Sequence, residues 1–288
     1  MRIFAANINF INNFKTLQQM KTKIKNLLCA AIMMVLPLSF TSCDDILGSW
    51  ERPVADVFTP TTFKVFNPQT NRYENMDLSI YNFTKLTPSN VAGLLSSGLS
   101  AGKYIVEGNV NYNGDVNVGG DGKLELYIQD NASLTITGGL NAGDIEGIII
   151  AGQKDGSGKL TITATAVDGI IVKALTIDGG KLTVEGGEHG VKLGDEGTLT
   201  VNGGDHTIKG NSTTESAING NLVFNNGRLV AIGEGTAPVI SGKWTLAKDT
   251  QLRDLTTGET ARADGGVYTG SFLSSIFMEI ERILKDHF

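Results

Sequence analysis

The chain repeats itself. From Lys159 it divides into rows of 22, 24, 23 and 22 residues, at 159–180, 181–204, 205–227 and 228–249, and an earlier row of 26 covers 133–158. Each row carries three short runs in which apolar and polar residues alternate, separated by Gly, Asn or Asp. In the first row these are Leu160 to Ile162, Gly169 to Val172 and Leu175 to Ile177; in the next they are Leu182 to Val184, Val191 to Leu193 and Leu199 to Val201. Alternation rich in β-branched residues reads as strand. The gaps are too short for the helical crossover that a parallel βαβ unit needs. The fold class expected is therefore all-β: a right-handed parallel β-helix with three strands per coil and 22–26 residues per coil.

Stacked coils bury alternate side chains in columns along the axis. The spacing predicts one column of Ile162, Val184, Ile208 and Ile232 and another of Ile177, Val201 and Phe224. Each buried aliphatic side chain contributes about 1.5–3 kcal/mol. The Gly or Asn-Gly pairs at 138–139, 179–180, 203–204 and 226–227 are expected at one corner, where a positive φ turns the chain without a Cβ clash. The β-helix then spans 104–249, and a solenoid needs its ends covered. Residues 61–103 read as an N-terminal cap, with a hairpin of Phe63 to Val65 against Leu78 to Ile80 and a short helix from Ser89 to Leu95. Residues 250–288 read as a C-terminal cap. Within it Phe272, Leu273, Ile276, Phe277, Ile280, Ile283 and Leu284 fit an amphipathic capping helix over 271–286.

The 36 glycines all lie after residue 42, which sets the first 42 residues apart. From Met20, a candidate start, a basic stretch with Lys21, Lys23 and Lys25 leads into an apolar run from Leu27 to Phe40, then Thr41, Ser42 and Cys43. This is the order of a secretory signal. Pro37 interrupts the run, which is also shorter than the about 20 apolar residues of a membrane span. Residues 1–42 are expected to be a lipoprotein signal peptide; the alternative is an ordinary signal with an incidental cysteine. Resemblance to lipoprotein signals implies that Cys43 carries a diacylglycerol and anchors the protein to a membrane, with 43–60, including Pro53 and Pro60, as a tether. Asp44 and Asp45 resemble signals that send lipoproteins to the outer face of the outer membrane, so a cell-surface location is expected. Removing 1–42 takes five of the 24 basic residues and no acid, leaving 19 basic against 30 acidic residues, net −11. Such a surface repels nucleic acid. Cys29 leaves with the signal, so no disulfide is expected.

Sequence signatures of catalysis are sparse. Neither a phosphate-binding loop nor a nucleophile elbow is present, and His189, His206 and His287 alone leave a zinc site short of ligands. No Arg lies between Arg72 and Arg228, where a polysaccharide lyase would need a cationic base. No Phe, Tyr or Trp lies between Tyr127 and Phe224, so sugar stacking on the middle coils is excluded. What does recur is an acid before the second strand of a row: Glu146, Asp168, Glu188 and Glu215, expected to stack about 5 Å apart. Carboxylates at that spacing repel, and a divalent cation such as calcium, held by Asp168 and Glu188, would relieve them. A solvated acidic corner is the plainer alternative.

The rows from Leu134 to Gly139 and Leu175 to Gly180, with Asp168 to Ile170 and Gly190 to Lys192, resemble the β-helical bacterial lipoproteins identified as carbohydrate-binding domain-containing proteins. The resemblance covers residues 104–245. It implies a non-enzymatic lipoprotein that binds polysaccharide, in some members with calcium at a corner holding two consecutive acids. Here His189 or Ser216 stands in place of the second acid. The alternatives are a structural or adhesive envelope protein, or a polysaccharide lyase or glycoside hydrolase.

Overall fold

The computed structural model describes residues 62–67, 70, 72–77, 82–153, 155–194, 196–268, 275 and 277–282. The expected signal peptide, Cys43 and the tether lie outside the described residues. The chain opens with β1 (Thr62–Asn67) and β2 (Arg72–Asp77), then β3 (Thr84–Leu86), the helix α1 (Val91–Ser96) and β4 (Leu99–Val106). The middle runs through β5 (Asn109–Asn113), β6 (Val116–Ile128), β7 (Ser133–Thr137), β8 (Leu140–Ala142), β9 (Gly147–Gly152), β10 (Lys159–Ala164) and β11 (Ile170–Val172). It continues with β12 (Ala174–Gly186), β13 (Val191–Lys192), β14 (Thr198–Gly210), β15 (Ile218–Asn219), β16 (Asn221–Phe224) and β17 (Arg228–Ile232). The last strands are β18 (Trp244–Asp254), β19 (Thr260–Tyr268) and β20 (Phe277–Arg282).

The protein is all-β, with parallel strands stacked as in a β-solenoid of about 7 turns. Pairing follows the repeat. One ladder joins β7, β10, β12, β14 and β17 through Leu134, Leu160, Leu182, His206 and Leu229. A second joins β6, β8, β11, β13 and β15 through Val116, Leu140, Ile170, Val191 and Ile218. A third joins β6, β9, β12, β14, β16 and β18 through Leu124, Ile148, Leu175, Leu199, Leu222 and Trp244. Partners such as Leu160 and Leu182, Leu182 and His206, and His206 and Leu229 are 22, 24 and 23 residues apart, the lengths of their rows. All these residues are buried and, His206 apart, they form one continuous hydrophobic core. No helix among the described residues is long and apolar enough to cross a membrane.

The column of Ile177, Val201 and Phe224 forms as expected and extends to Leu246. The other expected column is corrected at its last member: Ile162, Val184 and Ile208 are followed by Ala231, while Ile232 stands opposite Lys209 and is half-buried. Strand side chains alternate faces, so that one-residue difference moves Ile232 off the core. The glycine corner is real for Gly180, Gly204 and Gly227, all at positive φ, where a Cβ on Gly204 would stand 2.4 Å from the Gly180 carbonyl oxygen. Gly138 and Gly139 lie at a different corner, between β7 and β8.

The ends also differ from expectation. β1 pairs with β2, Phe63 opposite Met76 and Val65 opposite Glu74, and residues 78–80, the partner expected for Phe63 to Val65, lie outside the described residues. The expected C-terminal helix is contradicted where it is described: Phe277–Arg282 is a strand, antiparallel to both β17 and β18. Met278 and Ile280 are buried while Glu281 is exposed, a period-two pattern. The physical reason is the outer edge of β17, whose unpaired N–H and C=O groups β20 satisfies and a helix would not.

Two polar features sit inside this frame. His206 occupies a leucine position in the first ladder and is fully buried; its Nδ1 accepts from the Leu182 N–H at 3.2 Å and its Nε2 donates to the Gly203 carbonyl at 2.6 Å. Both ring nitrogens are satisfied in the neutral form, and burial pushes its pKa below the ordinary 6.5. Along the adjacent corner, Asn225 donates to Asn202 at 2.8 Å and Asn202 to Asp178 at 2.7 Å, an amide ladder running with the columns. Burial pushes the Asp178 carboxyl up from 3.8, with the Asn202 hydrogen bond acting against it.

Candidate functional site

The second ladder turns a sharp corner just before each strand. Two residues upstream of the aligned Leu140, Ile170, Val191 and Ile218 stand Gly138, Asp168, His189 and Ser216; one residue further upstream stand Val167, Glu188 and Glu215. Glycine follows Asp168 and His189 for a steric reason. A Cβ on Gly169 would lie 2.5 Å from the Gly190 oxygen, and one on Gly190 would lie 2.7 Å from the Lys209 oxygen. The corner is thus packed backbone to backbone, which fixes the residues beside it.

Asp168 and His189 are buried, at 8% and 3% exposure. Asp168 Oδ1 accepts the His189 backbone N–H at 3.0 Å, which ties one coil to the next, and its Oδ2 accepts from Lys192 Nζ at 3.1 Å. His189 Nδ1 lies 2.7 Å from the Ser216 carbonyl oxygen, a group that can only accept, so Nδ1 carries the proton. Its Nε2 faces Glu215, with Oε2 at 3.9 Å. One ligand atom each from Asp168, Glu188 and His189 lies within 4.8 Å of the others.

Of the four acids expected at this corner, Asp168, Glu188 and Glu215 gather there, with Glu188 and Glu215 one residue out of level with Asp168. Glu146 does not join them. It precedes β9 in the third ladder, where its N–H donates to the Gly122 carbonyl at 2.8 Å. The second strand of row 133–158 is β8, not the Ile148 to Ile150 run. His189 is the participant that a search for acids passes over. A signal for it exists in the sequence: Asp168 to Ile170, His189 to Val191 and Ser216 to Ile218 align as equivalent triplets.

Beside the corner, Asp115, Asn117, Gly139, Leu140, Asn141, Val167, Asp168 and Ile171 line a cleft of about 180 Å³. Its floor is the outer face of the second ladder, where Asn117, Asn141, Ile171, Lys192 and Asn219 are in register. Val167, 43% exposed, forms an apolar rim. Asp115 is held there by accepting the Gly139 N–H at 2.8 Å. No family model matches the chain, and no curated protein or solved structure matches it.

Proposed function

We propose that the protein is a lipid-anchored lipoprotein of the outer membrane, facing outward through Cys43, whose solenoid binds polysaccharide without cleaving it. In this reading the coils are right-handed with three strands per turn. The observation that carries it is the cleft on the second ladder, which sets carboxylate and amide groups of Asp115, Asn117, Asn141 and Asp168 around the aliphatic Leu140, Val167 and Ile171. A sugar ring is amphipathic in the same sense: hydroxyls at its edge donate to Asp carboxylates and exchange hydrogen bonds with Asn amides, and its C–H face covers aliphatic carbon. Two rungs of the ladder span about 10 Å, comparable to one disaccharide unit of an extended chain. The floor continues past the cleft along Lys192 and Asn219, as a linear polymer requires.

Affinity electrophoresis against a panel of neutral and acidic polysaccharides tests this. The wild type is expected to be retarded by at least one of them. Asn117→Ala combined with Asn141→Ala, both at exposed positions, is expected to weaken that retention by about thirtyfold, since two hydrogen bonds of about 1 kcal/mol each are lost. Retention by no polysaccharide, or retention unaffected by the double substitution, would leave the structural or adhesive reading in its place. Release of reducing or unsaturated ends would make the protein an enzyme instead.

A further inference from the structure

Asp168 and Glu188 alone point to calcium, because two carboxylates are hard oxygen donors. The structure changes the donor set by adding an imidazole. His189 is buried and its Nδ1–H is committed to the Ser216 carbonyl, which leaves Nε2 as the ring nitrogen with a lone pair to give. Nε2 has no hydrogen-bond partner among the described residues, since Glu215 Oε2 at 3.9 Å is beyond hydrogen-bond reach. A histidine held through one ring nitrogen by a backbone carbonyl, with its other nitrogen uncommitted and the Asp168 and Glu188 carboxylates grouped beside the ring, is how proteins orient an imidazole for a metal. We infer that Asp168, Glu188 and His189 bind one divalent transition cation of the zinc class at the corner of the solenoid.

The geometry is close to what such an ion needs. Ligand atoms around tetrahedral zinc, at bond lengths of about 2.0–2.1 Å, stand about 3.3 Å apart, against separations of up to 4.8 Å here. Asp168 and His189 are fixed to each other by the 3.0 Å hydrogen bond between adjacent coils. Exposed Glu188 is the ligand that swings in. Calcium takes six to eight oxygen ligands and gains nothing from an imidazole, so the third donor selects against it. Three protein ligands leave a coordination position open, and because Asp168 also lines the cleft, a ligand lying there can reach that position.

Lys192 gives the site a built-in competitor. Its ammonium pairs with Asp168 Oδ2 at 3.1 Å and is 40% exposed, so it can withdraw into solvent when a cation arrives. Charge removal at Lys192 should therefore tighten metal binding while leaving all three ligands in place, an effect that a merely structural ion pair would not produce.

Cation binding at this corner does not depend on polysaccharide binding, and metal alone tests it. The full chain is titrated with Zn2+ by calorimetry and with Co2+ by visible absorption, in the wild type, E188Q, H189Q and K192M. The expected result is one Zn2+ per chain in competition with Co2+ and not displaced by Ca2+. E188Q is expected to weaken it by at least about tenfold and H189Q to abolish it, while K192M tightens it several-fold. Glu188 and Lys192 are not core residues, so those two variants remain informative if H189Q fails to fold. Unchanged Zn2+ affinity in E188Q, no gain in K192M, or displacement of Zn2+ by equimolar Ca2+ would overturn the assignment.

Discussion

Gly186→Ala is expected to destabilise the protein by about 3 kcal/mol or more, the upper range for overpacking, and to lower the melting temperature by on the order of 10 °C. The added Cβ would lie 1.8 Å from the His189 carbonyl oxygen and 2.7 Å from the Gly169 nitrogen. Those two atoms are themselves bonded, the Gly169 N–H donating to His189 O at 2.9 Å. The methyl group therefore lands on a hydrogen bond between consecutive coils, and nothing flexible is available to give way. Because the displaced carbonyl belongs to His189, the same substitution is expected to remove Zn2+ binding. Gly93→Ala in α1 is the control: no atom lies within 4 Å of the place its Cβ would take, so removing backbone freedom from an exposed helical glycine should stabilise by about 0.5–1 kcal/mol. Thermal denaturation of the two variants side by side checks both signs.

Phe224→Ala is expected to cost about 3–5 kcal/mol. Phe224 is fully buried and stands between Val201 on one coil and Leu246 on the next, in the column shared with Ile177. Its loss should not be spread evenly. In a solenoid each coil contacts only its neighbours, so a cavity at one level weakens the coupling across that level. Hydrogen exchange is expected to show β18 to β20 losing protection while β7 to β12 keep theirs. Equal loss of protection throughout would mean that the molecule unfolds as one cooperative unit and is not organised by nearest-neighbour stacking.

What is legible in the sequence is whatever depends on period and row length. The Ile177, Val201 and Phe224 column is readable because each row returns to the same alternation after 22 to 24 residues, and the glycine corner at Gly180, Gly204 and Gly227 because all three need a positive φ and, at Gly204 and Gly227, the adjacent coil leaves no room for a Cβ. Where the sequence misleads, the cause is phase. A one-residue change in row length exchanges Ile232 for Ala231, and the long row at 133–158 disguises β8, which carries Glu146 to the wrong corner. Phe277 and Ile280 suit a helix as well as a strand, and a short apolar run does not separate the two. The deciding factor is the open edge of β17, which is a property of the stack and is invisible in the segment itself. At the site the acids are legible one by one. The Lys192 pairing and the orientation of His189 are not, because both come from contacts between rows, at separations of 24 and 27 residues.

The stacking of successive rows is the claim from which the corner, the cleft and the cation site all follow, and cross-linking tests it most directly. In a chain with Cys29 and Cys43 changed to Ser, cysteines are placed at Thr161 and Thr183, which are register partners on adjacent coils, or at Thr161 and Thr207, two coils apart. Neighbouring rungs bring Cα atoms to about 4.8 Å, inside the disulfide range, whereas two rungs separate them by about 10 Å, outside it. Mild oxidation is expected to close the Thr161→Cys/Thr183→Cys pair nearly completely and to leave the Thr161→Cys/Thr207→Cys pair reduced. Closure of the second pair, or of neither, would contradict the stacked solenoid.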